Sequence, residues 1–547
     1  VNIPRKNFRS VFKWGDPNHE EILDSGIRRV LKEVFGLSDD CFSQPFLAGE
    51  RQISLNKASA LAAPAIAELR EIVGPENVET DDFSRAYHAY GKTYFDVIRL
   101  RLGMVDTPPD VIVYPRSDQD IHQIMSWCSN NGVPLVPFGG HSSVTRGLEC
   151  PHGGVSLDLT RHLNQVISVN ETNSTVRVQA GIGGPRLEQY LNAFESGYTL
   201  GHFPQSFEHS TVGGWVVTRG AGQESTCYGK IEDMVRAIRL ISPVGTITTK
   251  DYPAMSIGPD LNNMIMGSEG TFGVVTEVTL RIRAYRPQNV RYFSFIFPTF
   301  EQAIQTMRLA MQAEIGHPAM FRLSDPEETD FSFRIKGYDR KIDDRLLRLM
   351  GYHPRKRCLM YVTAKGDPDF SNLVERKISK LARQNGAFAL GSKPVLTWLE
   401  QRFSSAYLRD PLMDAGIMVD TLETAVTWDN LINVWDHVRQ TIKKRSPAVA
   451  MVHLSHIYET GANLYFTFLA TMDRDNPIDD FLQFQASIIQ SIQQHGGALS
   501  HHHGIGRMMA PWLEQELGPD ALAALRALKK HFDPHNIMNP GGTLHLD

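Results

Sequence analysis

Three parts of the sequence hold residue types that do proton and anion chemistry. The first is Leu499-Ser500-His501-His502-His503-Gly504-Ile505-Gly506. Apolar residues flank it, so it reads as part of a folded stretch and not as an exposed tract. In an extended backbone neighbouring histidines alternate between faces, so the three do not easily meet at one metal ion. The reading favoured is a polar cluster for general acid–base work and anion binding beside a cofactor, with no metal. The second part is a hairpin over 448–471, where Leu464, Phe466 and Phe468 share one face of a strand and Tyr465 and Thr467 the other. Tyr465 is either a half-buried strand tyrosine or a phenol that transfers a proton. His453 and His456 fall on opposite faces of the preceding strand, which also disfavours a shared metal.

The third part is four Gly-rich segments: 137–143, 210–215, 218–222 and 267–274. Glycine and small hydroxylated residues let backbone N–H groups approach an anion closely. One such segment is commonly a turn. Four in one region suit a large dinucleotide whose pyrophosphate is held by several loops. The glycines at 181–184 lack the third glycine of a Rossmann fingerprint. No phosphate-loop, His-Glu-x-x-His or Gly-x-Ser-x-Gly signature occurs.

The elements that must carry these groups are readable in outline. Pro109 to Pro115 reads as a short strand, Ser117 as the N-cap of a helix through Ser129, and Val133 to Phe138 as the next strand. This is a βαβ unit. Short strands follow at 154–159, 166–169 and 175–180, a helix at 185–194, and a strand at 274–283. After Arg286-Pro287 the composition changes to long helices and hairpins, read as a second α+β domain. The expected division is a helical, peripheral region at 1–82 with a loop over 37–52, a cofactor domain at 83–285 and a cap at 286–495. A C-terminal segment, 496–547, then returns the histidines to the cofactor.

The 547 residues suffice for two to four domains. A net charge of -5 offers no basic excess for a nucleic acid. The five cysteines lie far apart and form no Cys-x-x-Cys pair, which fits a reducing compartment. No apolar run reaches the roughly 18 residues of a membrane span. No signal peptide and no Ser-Lys-Leu ending is visible, so a cytoplasmic enzyme is expected.

Taken in order, the Gly-rich segments resemble the FAD-binding domain of the vanillyl-alcohol oxidase / p-cresol methylhydroxylase flavoprotein family. The resemblance implies an α+β, two-domain FAD-binding flavoprotein with an α+β cap. It implies FAD contacts from Pro137, Phe138, Gly139, Gly140, His141, Ser142 and Ser143, and from Ser210, Thr211, Gly213, Gly214 and Trp215. It implies further contacts from Thr218, Gly220, Glu269, Gly270, Thr271, Gly273 and Val274. Hydroxy-acid dehydrogenases of this superfamily carry His-x-Gly-Asp-Gly-Asn-Leu-His at the hairpin. Here His456 keeps the first histidine, Tyr458-Glu459 replaces Gly-Asp, and Tyr465 replaces the last histidine.

That tyrosine, the triple histidine, Phe321-Arg322-Leu323, Ala406 to Asp410 and Leu422 to Trp428 resemble the alkyldihydroxyacetonephosphate synthases. This likeness implies an enzyme of ether-lipid synthesis. It would exchange the acyl chain of acyl-dihydroxyacetone phosphate for a long-chain fatty alcohol, with FAD and no net redox change. Tyr465 would then exchange a proton with substrate C1 or the alcohol, and His501, His502 and His503 would stabilise charge. Arg409 would pair with the substrate phosphate, and Arg322 would be a second cation. The bland reading of each arginine is a surface ion pair. The first loop has His141 where those synthases have a third glycine. A covalent flavin link through His141 and a non-covalent contact both remain open, with non-covalent FAD favoured. A homodimer and peripheral membrane contact are expected. The competing readings are an FAD-dependent oxidase or dehydrogenase of a 2-hydroxy acid or alcohol, and a flavoprotein-like module without catalysis.

Overall fold

The computed structural model describes residues 9–46 and 53–545. The loop expected over 37–52 therefore lies partly outside the described residues, as does the ending Leu546-Asp547.

Local chemistry sets the first elements. The Ser117 hydroxyl accepts the Asp120 N–H at 3.2 Å, which starts the helix Asp118–Asn131, and Gly132 ends it with φ 62°. The flanking strands, Val111–Val113 and Leu135–Phe138, do not pair with each other as a simple βαβ unit would. Both lie parallel to Val155–Asp158, which sits between them. The two-residue strand Val78–Glu79 pairs antiparallel with Val111–Val113 and completes a four-stranded sheet. Beside it is an antiparallel sheet of five strands. Their order is Val166–Asn170, Thr175–Gln179, Val274–Arg281, Val235–Ser242 and Gly245–Thr248.

The rest of the chain builds around a seven-stranded antiparallel sheet. Its order is Phe388–Ala389, Arg291–Phe297, Cys358–Ala364, Met320–Ser324, Ala448–Leu454, Gly461–Thr471 and Ile417–Thr427. Strand alternation splits its faces. Leu323, Leu422, Leu454 and Phe466 are fully buried on one face. The helices Phe300–Met311, Pro368–Gln384, Leu431–Lys443 and Pro477–Gln494 pack over this sheet. Each such side chain contributes about 1.5–3 kcal/mol on burial. The other face carries a polar rung across four strands, because Ser324 pairs with His453, His453 with Tyr465, and Tyr465 with Glu423.

The C-terminal segment crosses back to the first sheet. Leu135 N–H donates to the Ile537 carbonyl at 2.8 Å, and Asn539 N–H donates to the Leu135 carbonyl at 2.9 Å. The last described residues thus extend the open edge of that sheet. Among the described residues no helix is long and apolar enough to cross a membrane.

Candidate active site

Tyr465 occupies the middle of the polar rung. Its hydroxyl donates to Thr421 Oγ1 at 3.1 Å, and its ring stacks on His453 with centroids 4.7 Å apart. The rings of His502 and His503 lie 5.9 and 5.6 Å away. Burial pushes the phenol up to about 12, so Tyr465 is protonated at neutral pH.

Glu423, directly across the rung, is fully buried and shapes the histidine stretch. Its carboxylate accepts the backbone N–H groups of His501, His502 and His503 at 2.7, 3.2 and 3.0 Å, and the Ser500 hydroxyl at 2.7 Å. Burial works to raise its pKa, but His502 foremost, then His503 and His501, hold it well below the usual carboxylate range. Three consecutive amides aimed at one carboxylate require a bend. The chain is therefore not extended here, which corrects the premise used to set the histidines on alternate faces.

With the bend, His502 and His503 reach the cavity wall while His501 lies behind them. His501 Nδ1 is 2.9 Å from His502 Nδ1, and its Nε2 is 2.5 Å from the Tyr458 hydroxyl. Ring nitrogens of His456, His501 and His502 all come within 4.8 Å of one another, a grouping that joins two of the three consecutive histidines to His456 and leaves His503 out. Burial, then the charge of His502, pushes His503 down to about 4, leaving a neutral imidazole at pH 7.

Further along this face, Arg322 pairs with Glu328 at 2.7 Å, and Glu328 also meets His453 at 3.1 Å. Burial favours the protonated acid, but His453, Arg322 and the Ser324 hydroxyl hold Glu328 at about 2. Arg322 Nε is buried without a partner. Arg409 arrives from another direction, at the start of the helix Arg409–Asp414. One of its nitrogens donates to the Lys92 carbonyl, and its guanidinium lies over Trp14 at 5.3 Å. Its Nε and Nη2 are buried without partners.

Both arginines, Tyr465, His502 and His503 line one cavity of about 550 Å³. Its other walls are the Gly-rich loops, and the backbone there leaves no room for side chains. A Cβ on Gly139 would stand 2.5 Å from Thr211 Oγ1, and one on Gly140 only 2.0 Å from the His209 carbonyl oxygen. Gly270, with φ 75°, packs against Pro137. Of the residues expected at FAD, all reach the wall except Thr271, whose hydroxyl donates to the Ser268 carbonyl at 2.7 Å. Glu269 lines the wall but spends its carboxylate on the N–H groups of Ile505 and Gly506, at 2.7 and 2.9 Å. Burial pushes Glu269 up to about 7. A cradle of glycine backbone with no room for side chains fits an FAD with its phosphates.

The same cavity has an apolar end built by Leu23, Ile27, Phe331 and Ile335. Leu23 and Ile27, with Trp14, come from the region expected to be peripheral, which corrects that reading. The sequence marks this region only as helical, without the surface these residues face. Glu328 and Thr421 carry no recognisable signal, and Glu423 lies in the resembling segment Leu422 to Trp428 without an assigned role, since each acts through a partner distant in sequence.

The cradle and the two-sheet domain define an FAD-binding protein of the p-cresol methylhydroxylase type. A family model described as "FAD binding domain" matches residues 109–250, and one described as "FAD linked oxidases, C-terminal domain" matches 286–543. A structure of p-cresol methylhydroxylase with substrate bound has a TM-score of 0.67 and 14% identity, covering 89% of this chain and 98% of that one. A solved alkyldihydroxyacetonephosphate synthase is nearer, with a TM-score of 0.79 and 30% identity over 94% of this chain and 91% of that chain. The alkyldihydroxyacetonephosphate synthase of Dictyostelium discoideum is 33% identical over 491 residues, 87% of this chain and 80% of its own length. The chain belongs to the alkyldihydroxyacetonephosphate synthase family.

The Gly140 geometry sets a direct test of the cradle. Gly140→Ala drives a methyl into the His209 carbonyl, so the purified variant should lose its flavin absorbance while keeping its far-ultraviolet circular dichroism. A variant as yellow as the wild type would remove this loop from the cofactor site.

Proposed function

We propose that this enzyme forms the ether bond of alkyl-dihydroxyacetone phosphate, exchanging the acyl chain of acyl-dihydroxyacetone phosphate for a long-chain alcohol. The observation that carries the reading is the joining, in one cavity, of an FAD cradle, the Tyr465–histidine cluster, unpartnered arginine nitrogens and an apolar end. In the exchange the C1–O bond to the acyl group breaks and the fatty acid leaves. The alcohol oxygen bonds to C1 and its proton is released. Bound FAD supplies the ring against which C1 is exchanged, with no net change in oxidation state.

The chain's own groups divide the remaining work. Arg409 offers Nε and Nη2 to the substrate phosphate, a geometry that a guanidinium meets and an ammonium does not. Arg322, held by Glu328, adds a second cation. Neutral His503 accepts a proton, and the Tyr465 phenol passes one at its Oη. Leu23, Ile27, Phe331 and Ile335 take the aliphatic chain and keep water out.

Purified enzyme supplied with acyl-dihydroxyacetone phosphate and a long-chain alcohol should yield alkyl product and free fatty acid without an electron acceptor. Tyr465→Phe keeps the ring stacking on His453 and should lower turnover by about 10²–10⁴-fold with flavin still bound. Product formation at the wild-type rate would reduce Tyr465 to packing. Consumption of substrate only with an electron acceptor would favour the oxidase reading instead.

FAD held without a covalent bond is part of the same reading. His141 Nε2 is 2.9 Å from the Tyr90 carbonyl, and its ring packs edge-on against Tyr87 at 4.2 Å. That bond commits one ring nitrogen to the protein backbone. Acid precipitation should leave the flavin in the supernatant. Flavin retained in the pellet, and lost from it in His141→Ala, would establish the covalent link.

Membrane contact also follows from the apolar chains this reading assigns. The helix Ile342–Leu349 exposes Ile342 by 72%, Leu346 by 53% and Leu349 by 84%, while its buried Asp344 pairs with buried Arg357 at 2.6 Å. The pair fixes the polar side inward, as in an interfacial helix. In sequence the helix follows Pro326–Ile335, which supplies Phe331 and Ile335 to the cavity. Leu346→Asp with Leu349→Asp should reduce co-sedimentation with phospholipid vesicles. Unchanged co-sedimentation would place the contact elsewhere.

A further inference from the structure

Tyr458 takes no part in the exchange described above, yet it ends a continuous hydrogen-bonded row that begins at the cavity. His502 lines the cavity, and its Nδ1 lies 2.9 Å from His501 Nδ1. His501, 9% exposed, has its Nε2 2.5 Å from the Tyr458 hydroxyl. Tyr458 is half-buried at the hairpin turn, next to exposed Glu459 and Thr460. Glu232 and Asp233 lie near enough for their charges to bear on its phenol. Lys230 donates to the His501 carbonyl at 2.7 Å and pairs with Glu232 at 3.5 Å, which fixes this wall in place.

We propose that His501 and Tyr458 form a proton exit from the buried site to the surface. The inference rests on the exchange reading. There the fatty acid leaves as a carboxylate at neutral pH, because carboxyl groups titrate at about 4. The alcohol's proton therefore remains in the cavity and must leave in every cycle. His502, at the cavity wall, takes this proton on its ring and passes its Nδ1 proton to His501 Nδ1. His501 releases its Nε2 proton to Tyr458 Oη, and the phenol's own proton goes to water. One proton enters, one leaves, and each heavy-atom bond is kept. A neutral imidazole suits the step because it has one donor and one acceptor nitrogen.

His456, His501 and His502 also approach a metal-ligand spacing, and the distances separate the two uses. Two imidazole nitrogens on a tetrahedral zinc, with bonds of about 2.0–2.1 Å, stand about 3.3 Å apart. The 2.9 Å between His501 and His502 is that of a direct N–H···N bond, and the second nitrogen of His501 is already engaged by Tyr458.

The experiment compares wild-type holoenzyme with Tyr458→Phe, using palmitoyl-dihydroxyacetone phosphate and hexadecan-1-ol. The variant's kcat should fall roughly 10²-fold, the low end for losing a proton-transfer group. Both KM values should stay unchanged, and added imidazole should restore much of the rate. Tyr458→His, which still carries a proton, should be less impaired than Tyr458→Phe. Wild-type kcat in Tyr458→Phe, or a loss that imidazole does not relieve and Tyr458→His shares, would overturn the exit. Stoichiometric metal in the purified protein, with activity lost on chelation, would also overturn it. If the wild type makes no alkyl product, the exchange reading fails by itself. The exit is then read from the downfield N–H shared by His501 and His502 in ¹⁵N-histidine-labelled protein. Its exchange with water should slow in Tyr458→Phe, and an unchanged rate would overturn the proposal.

Discussion

The Glu423 carboxylate organises the site. It has no exposure to solvent, yet it stays ionised, held down by His502 foremost and then His503 and His501, while three backbone N–H groups and the Ser500 hydroxyl point at it. Hydrogen bonds to a charged group contribute about 1.5–3 kcal/mol each, and together they offset a desolvation cost of several kcal/mol. The sign of its pH dependence follows. With a folded pKa below the ordinary carboxylate range, its stabilisation is present above that range and is lost as pH falls through the depressed value. A second buried acid, Glu269, also accepts two backbone amides, those of Ile505 and Gly506, though burial pushes it up to about 7. Two carboxylates, one from the cap sheet and one from the cofactor loops, thus grip residues 500–506 and join the halves of the molecule at the reacting end.

The cap sheet explains why Tyr465 can be both rigid and polar. Phe466 and Leu464 beside it are fully buried in the apolar layer, so the strand cannot slip by one residue without turning its whole apolar set into the cavity. The same alternation sets Ser324, His453, Tyr465 and Glu423 in one rung on the opposite face. Polar groups in this rung satisfy one another. Arg322 is held by Glu328, Glu328 meets His453, and Tyr465 meets Thr421.

This division was legible in the sequence wherever it depended on local pattern. The alternation of Leu464, Phe466 and Phe468 against Tyr465 predicts the strand's two faces. Ser117 and Gly132 mark the ends of a helix, and the order of the Gly-rich segments points to the cradle. What depended on distant partners was not legible. Val155–Asp158 inserts between two strands that look consecutive, and no local signal announces it. The bend at His501–His503 is imposed by an acid about eighty residues earlier. Leu23 and Ile27 lie in a predicted helical region, but only the folded chain shows that they line a cavity.

The residues joined by these devices answer opposing demands of an acyl-for-alkyl exchange. Water is the competing nucleophile, and at any point where the alcohol attacks, water attacks as well unless it is kept out. The apolar end and the buried rung exclude it. Exclusion also removes the solvent that would otherwise carry away the alcohol's proton. Neutral imidazoles suit such a site. His503 is held near 4 by burial, and His501 and His456 are pushed well below their ordinary value by the same cause, so none brings a fixed charge into the dry interior. Each can still hold a proton in transit, with Glu423 as a permanent counter-charge one residue contact away. A lysine or arginine in the same place would remain charged unless burial stripped its proton, and an aliphatic side chain could not pass a proton at all. Burial and ionisable chemistry therefore coexist here because the imidazoles that move protons are uncharged at rest, while the groups that stay charged are held by partners, Glu423 by backbone amides and the histidines, and Arg322 by Glu328.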